Sequence, residues 1–446
     1  MITAQYTEGG DSTSFERKSI GRYLVSDKVV GKVALWLIAL LTFSYPISAA
    51  IPALIHLPST PVNIAFRALF VAMSLFLLGA SVFKKQTYQF RWYNVLMLAF
   101  WILYIIRLVY DFEISHVVPY GIPKETIYLF SIGNCILPSI AMMSMSRYID
   151  LRQLEQVTLW ILIISNVLMI ILLATQVGLS LQMFVIRNLI KGADDSRAIN
   201  EITLSYTGCQ LIVIALNRLL MGEESNRLKR FLLTLCIVLG LINLFAGGSR
   251  SPMILAVLML LYTLGFYFYK GHRFNRFINN FKVFIIGIII IFISLFVAST
   301  LKNIDFTLLN RLKDTAEERQ KGGKELRDYE QEAAWNDFLS SPIIGHQFVN
   351  SYDKTYPHNP FLETLMALGI LGGIMFFPFM GKFVFKLFSL PFRYPSIFCF
   401  STLVGLSFFV SQFSGSLWAS VDFWALSIFW VNIDEKQLQK QQNFSD

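Results

Sequence analysis

The 446-residue chain is 55% hydrophobic and only 15% charged, with a mean hydropathy of +0.55. That composition excludes an ordinary soluble domain. A formal charge of +9 invites a nucleic-acid reading, but the cations fall mostly in short loops between long apolar runs, as in a polytopic membrane protein.

The apolar runs predict an all-α integral membrane protein with about twelve transmembrane helices. They lie at 33–57, 62–83, 93–112, 126–146, 155–177, 200–217, 231–246, 251–269, 281–301, 360–380, 395–412 and 415–432. A polar tail covers 1–32, helices one to nine fill 33–301, and a long loop spans 302–357. Helices ten to twelve fill 358–432, and a second tail covers 433–446. The first run follows the polar tail and is itself of spanning length, so it reads as a span and not as a cleavable signal. Cys135, Cys209, Cys236 and Cys399 sit inside apolar runs and read as small core hydrophobes. Lys and Arg concentrate in the N-terminal tail (Arg17, Lys18, Arg22, Lys28 and Lys32) and in the even-numbered connections. This bias puts both termini in the cytoplasm and the long loop outside.

Arg67 and Arg107 fall inside predicted spans, where a guanidinium costs several kcal/mol. Arg67 enters about five residues, roughly 8 Å, below the outer face, and Arg107 lies in the outer third of its span, ahead of Asp111 and Glu113. Two readings stand: snorkelling to the headgroups, or lining an anionic site open to the outside. The connection before the sixth span adds Arg187, Lys191 and Arg197, diluted by Asp194 and Asp195.

Ala246 to Met253 reads AGGSRSPM. Gly247 and Gly248 permit a tight reversal, and Pro252 suits the first turn of a helix. Arg250 then stands at a helix N-terminus, where free N–H groups, the helix dipole and a guanidinium together suit a phosphate. An outer-loop arginine that binds lipid headgroups is the plainer alternative. In the long loop, Leu326, Tyr329, Ala333, Ala334, Phe338 and Leu339 recur at helical spacing, and Pro342 follows. The spacing predicts an amphipathic helix from Lys324 to Ser341 lying on or near the outer surface. Arg327 sits in its first turn and, on propensity alone, is a solvated charge. The segment from Asp314 to Gly323 reads as mobile.

From Tyr356 to Gly373 the chain reads YPHNPFLETLMALGILGG, which places the His358 imidazole where a polar loop enters a membrane-length run. A helix cap or interface anchor is the bland reading of His358. His56, His116, His272 and His346 are scattered without metal-ligand spacing. No phosphate-cradling glycine loop, G-x-S-x-G elbow or paired-cysteine motif occurs.

Three stretches in order are similar to the O-antigen ligase and bacterial polysaccharide (O-antigen) polymerase superfamily of polytopic membrane glycosyltransferases. They are Gly247-Gly248-Ser249-Arg250-Ser251-Pro252; Arg327 with Trp335 and Pro342-Ile343-Ile344-Gly345; and His358-Asn359-x-Phe361-Leu362-Glu363 ending in Gly369-Ile370-Leu371-Gly372. The resemblance covers roughly residues 200 to 375. It departs at His346, where a small residue is common, and at Ser251-Pro252, where Arg-Gly is more usual. The resemblance implies a glycosyltransferase at the periplasmic face of the bacterial inner membrane. Such an enzyme moves a glycan from undecaprenyl pyrophosphate onto an acceptor hydroxyl, either another glycan or lipid A-core. It implies His358 as the catalytic histidine and Arg250 and Arg327 as pyrophosphate ligands. Arg67, Arg107, Arg197, Asn359 and Glu363 are further candidates to line the cavity. It implies no metal, cofactor or nucleic acid, and it leaves room for a chain-length regulator as partner.

The physical logic fits. Preorganised arginines stabilise a diphosphate leaving group as its charge grows, and an imidazole suits deprotonation of a hydroxyl. A flippase or other transporter would share the span count and internal arginines. It would, however, show related halves and a site near the midplane, and no halves are visible here. Between polymerase and ligase, the long loop and the Ser-Arg-x-Pro variant favour the polymerase, and the ligase stays open.

Overall fold

The computed structural model describes residues 26–84, 91–178, 200–221, 226–270, 324–436 and 438–439. The predicted ninth span, the segment Asp314 to Gly323 and Arg197 lie outside these residues. Among the described residues all regular structure is helical. In chain order the helices are α1 (Asp27–Phe43), α2 (Tyr45–Leu54), α3 (Ser59–Phe83), α4 (Trp92–Ile114), α5 (Lys124–Tyr148), α6 (Leu151–Gln176) and α7 (Glu201–Met221). They continue with α8 (Arg227–Gly247), α9 (Arg250–Tyr269), α10 (Leu326–Ser340), α11 (Pro360–Arg393), α12 (Pro395–Ser414) and α13 (Val421–Asn432).

Among the described residues, nine helices are long and apolar enough to cross a membrane, and the pair α1–α2, bent by 64°, makes up to ten. The expectation of about twelve is therefore not reached among these residues. The run 33–57 breaks at Ser44 because Pro46 opens a new helix. The run 415–432 keeps only the 12 residues of α13 as helix, about 18 Å of rise against a hydrocarbon core of about 30 Å. Its first residues turn instead, because the Leu417 N–H donates to Glu363 Oε2 at 2.9 Å and Trp424 Nε1 donates to the Leu417 carbonyl at 2.8 Å.

The core combines aromatic packing with paired polar groups. Trp101 of α4 lies 4.3 Å from Trp424 of α13, and Phe100 lies 5.3 Å from Phe376 of α11 (ring centroids). In lipid every buried polar group needs a partner inside the protein. Asn243 accordingly donates to Asn166 Oδ1 at 2.7 Å, joining α8 to α6, and Asn217 donates to Thr402 at 2.8 Å, joining α7 to α12. All four cysteines are buried and unpaired, as their apolar surroundings predict.

One feature of α11 positions everything that follows. Gly369 has φ +62° and ψ −157°, which breaks the helix and releases backbone groups around it. The turn Pro342–Gly345 occupies that break: Ile370 N donates to Pro342 O at 2.8 Å, Leu371 N to Ile343 O at 3.1 Å and His346 N to Met366 O at 2.8 Å. Gly345, at φ +78°, is so close that a Cβ there would lie 2.3 Å from Ala367 C. The two glycine-bearing motifs thus interlock. Arg107 straps the turn from α4, donating to the carbonyls of Ile344, Gly345 and His346 at 2.7–3.2 Å, while Asp111 accepts from Phe348 N at 2.8 Å.

Candidate functional site

The site is assembled where α9 and α11 begin and α10 lies beside them. Gly248 takes the left-handed conformation (φ +59°), closing α8. Ser249 N donates to Ser205 Oγ at 3.1 Å, which seats the reversal on α7. Arg250 follows as the first residue of α9 and gives its two terminal nitrogens to Glu325, at 3.0 and 3.1 Å. Glu325 in turn caps α10, forming a reciprocal capping box with Asp328. Arg250 therefore reaches the helix that carries Arg327.

The helix expected from Lys324 to Ser341 is present as α10 (Leu326–Ser340). Leu326, Trp335 and Leu339 are exposed, and the buried residues are Glu330, Ala334 and Asp337. The polypeptide beside the helix accounts for this choice. Asp337 accepts from Ser351 N at 2.8 Å, and Glu330 faces Asp353 and His358. The acids meet donors of the loop, and the apolar side chains point to the surroundings.

The loop ahead of α11 is built around Asn350 and Asp353. Asn350 accepts from Tyr352 N and Asp353 N, while Asp353 accepts from the Thr355 N–H and hydroxyl at 3.1 and 2.7 Å. This turn leads to His358, a non-glycine residue held at φ +55°, a strained backbone of the kind that clusters at functional sites. The ring stacks edge-on against Tyr356 with 4.4 Å between centroids. Nε2 lies 3.7 Å from Glu330 Oε2. Nδ1 is buried with no hydrogen-bond partner among the described residues.

Burial disfavours charge on both members of this pair. Burial pushes His358 down to about 4; the Arg327 guanidinium adds to the shift and Asp353 opposes it. Burial pushes Glu330 up to about 7, Asp353 adds to that, and Arg327 opposes it. Arg327 is half-buried, and its charge acts on Glu330, Tyr356 and His358 together. Near neutral pH the His358 ring is uncharged, with an unpartnered nitrogen beside a guanidinium. Such a group can accept a proton from a hydroxyl while neighbouring arginines hold an anion.

The other sequence candidates take different positions. Arg107 is spent on the turn carbonyls and on Asp111. Arg67 lies 4.0 Å over the Phe130 ring. Asn359 caps α11, accepting from Phe361 N and Leu362 N at 2.9 and 3.1 Å. Glu363 is fully buried, with one oxygen facing Tyr104 and the other accepting from Leu417 N. Arg107, Asn359 and Glu363 thus engage the turn and the loops around the head of α11, and Arg67 packs on Phe130. Glu325, Glu330 and Asp353 escaped the sequence reading. The available signal was the spacing of Arg327, Glu330, Ala334 and Asp337, which puts two acids on one helical face with an arginine.

Helices of spanning length, loop turns docked into a broken span and a polar cluster at one end define an all-helical polytopic membrane protein. Residues 235–377 match the family model described as O-antigen ligase. The match supports the O-antigen ligase and polymerase superfamily, whose members are glycosyltransferase-like enzymes, and it takes in Arg250, Arg327 and His358. No curated protein matches the chain.

Proposed function

We propose that the protein is a polysaccharide polymerase of the bacterial inner membrane, with both termini in the cytoplasm and its site facing the periplasm. It joins one undecaprenyl-pyrophosphate-linked glycan to the acceptor hydroxyl of another. The observation that carries this reading is the buried, unpartnered Nδ1 of a neutral His358 beside the Arg327 charge. In the proposed step the acceptor O–H gives its proton to that nitrogen as its oxygen bonds to the anomeric carbon. The bond from that carbon to the phosphate oxygen breaks, and its electron pair leaves with the lipid pyrophosphate. Arg327 and Arg250 face the charge that grows on the leaving group. The donor is already activated, so the arginines take the part a metal would otherwise play. Glu325, which holds the Arg250 fork in this structure, has to share it with the incoming phosphate.

The test is purified protein in liposomes with a lipid-pyrophosphate-linked repeat unit, with and without lipid A-core. A ladder of lengthening glycans without lipid A-core supports the polymerase. A single transfer that needs lipid A-core identifies a ligase. Intact donor in both reactions, with the matching repeat, returns the transporter reading.

A further inference from the structure

The proposed step leaves a proton on His358, inside a site that already holds two arginines. An imidazolium there needs a counter-charge, and the ring needs a reason to present Nδ1 rather than Nε2 to the acceptor. Glu330 answers both requirements, and neither the motifs nor the family match assigns it a role. Glu330 is buried on the inner face of α10, and its Oε2 lies 3.7 Å from Nε2, while Nδ1 has no partner among the described residues. Catalytic hydrogen bonds often reach their final length only in the substrate complex. A histidine's tautomer is set by the hydrogen bond its other nitrogen makes.

We propose that Glu330 is the positioning carboxylate of His358. It holds the ring with Nε2–H directed at its own oxygen, so that Nδ1, which has no partner among the described residues, is the nitrogen left for the acceptor hydroxyl, and it faces the imidazolium once Nδ1 is protonated. The inference rests on the glycosyltransferase reading of His358. In balance, the acceptor proton moves to Nδ1, the acceptor oxygen takes the anomeric carbon, and the pyrophosphate departs with the electron pair. Glu330 remains a carboxylate throughout, and the imidazolium later returns its proton to water. When Glu330 is protonated its O–H is shared with the Asp353 carboxylate, and the counter-charge for the imidazolium is lost. The charged and titratable groups around it are Arg327 on its own helix and Asp353, Tyr356 and His358 on the loop. Asp353 is tied to Asn350 and Thr355, lies below the usual carboxylate range and raises Glu330. The rate should accordingly climb through a limb near pH 7 to an alkaline plateau.

The experiment measures glycan transfer by full-length protein in liposomes as a function of pH for wild type, Glu330→Gln, Glu330→Asp and His358→Ala. Glu330→Gln keeps the side chain's size and removes the charge. The proposal expects its kcat to fall about 100-fold, its KM for donor to stay within about twofold, and the limb near pH 7 to vanish. Glu330→Asp should recover part of the rate and the limb. A Glu330→Gln enzyme with wild-type kcat and an unchanged profile overturns the proposal, as does a rise in KM at constant kcat. His358→Ala separates the two readings. If it retains wild-type rate, the assignment of His358 itself fails. If it is inactive while Glu330→Gln is fully active, only the role of Glu330 fails. Should Glu330→Gln not fold, the wild-type profile decides, and a rate flat from acid to alkaline pH refutes the proposal.

Discussion

Gly345→Ala tests the interlock on which the site's position depends. At φ +78° an L-residue costs about 1–2 kcal/mol. The added Cβ would stand 2.3 Å from the Ala367 carbonyl carbon and oxygen, so backbone rather than a flexible side chain has to move. Displacing the turn loosens the three backbone hydrogen bonds that seat it on α11, each worth about 1 kcal/mol net. The expected cost is about 3–5 kcal/mol, concentrated in the docking of residues 342–346. Gly265→Ala is the matched control: that glycine lies within α9, meets nothing within 4 Å, and should be neutral or slightly stabilising. The assay is a thermal melt in detergent with limited proteolysis of the loop, run beside the transfer reaction. Gly345→Ala should melt lower, be cleaved faster and lose transfer. A melt, cleavage rate and activity equal to wild type would refute the argument.

Arg250→Lys should reduce transfer at least about tenfold, since an ammonium cannot reproduce the two-pronged contact that Arg250 makes to Glu325 or offers to a phosphate; a steady-state rate checks it. Asn359→Ala removes the oxygen that accepts from Phe361 N and Leu362 N and should lower stability by about 1 kcal/mol in the same melt. The pH dependence of stability follows from two opposed shifts. Glu330, raised from 4.5 to about 7, contributes stability that is full below 4.5 and lost as pH rises through 7. His358, lowered from 6.5 to about 4, contributes stability that is present above 6.5 and lost as pH falls through 4. Between about 4.5 and 6.5 the two nearly cancel in the wild type. Melts of His358→Asn should therefore fall as pH rises from 5 to 7, and melts of Glu330→Gln should rise.

Much of the architecture was legible because lipid imposes simple demands on sequence. Apolar runs such as 62–83 and 231–246 became α3 and α8 with small shifts at their ends. The last run is helical only over Val421–Asn432, because apolar composition does not separate a helix from a turn that feeds its N–H groups to a buried carboxylate, as Leu417 does to Glu363. Within the site, Arg250 and His358 stand out as polar residues at the start of apolar runs, and Arg327 is singled out only by the family resemblance. Their partners do not stand out. Glu325 and Glu330 look like ordinary charges of an exposed helix, and the contacts show that α10 turns Glu330 and Asp337 inward and leaves Leu326 and Leu339 outside. Arg107 is half legible: its ion pair with Asp111 at i,i+4 follows from spacing, whereas its other partners are backbone carbonyls more than 230 residues away in the chain, which no side-chain pattern records.

The most direct measurement follows the release of undecaprenyl pyrophosphate from a lipid-linked repeat unit in liposomes, for wild type and His358→Ala, with glycan length read in the same samples. Wild type should release one lipid pyrophosphate for each new glycosidic linkage. His358→Ala, folded and still holding donor, should release none above background. Release and chain growth by His358→Ala at the wild-type rate would contradict the account.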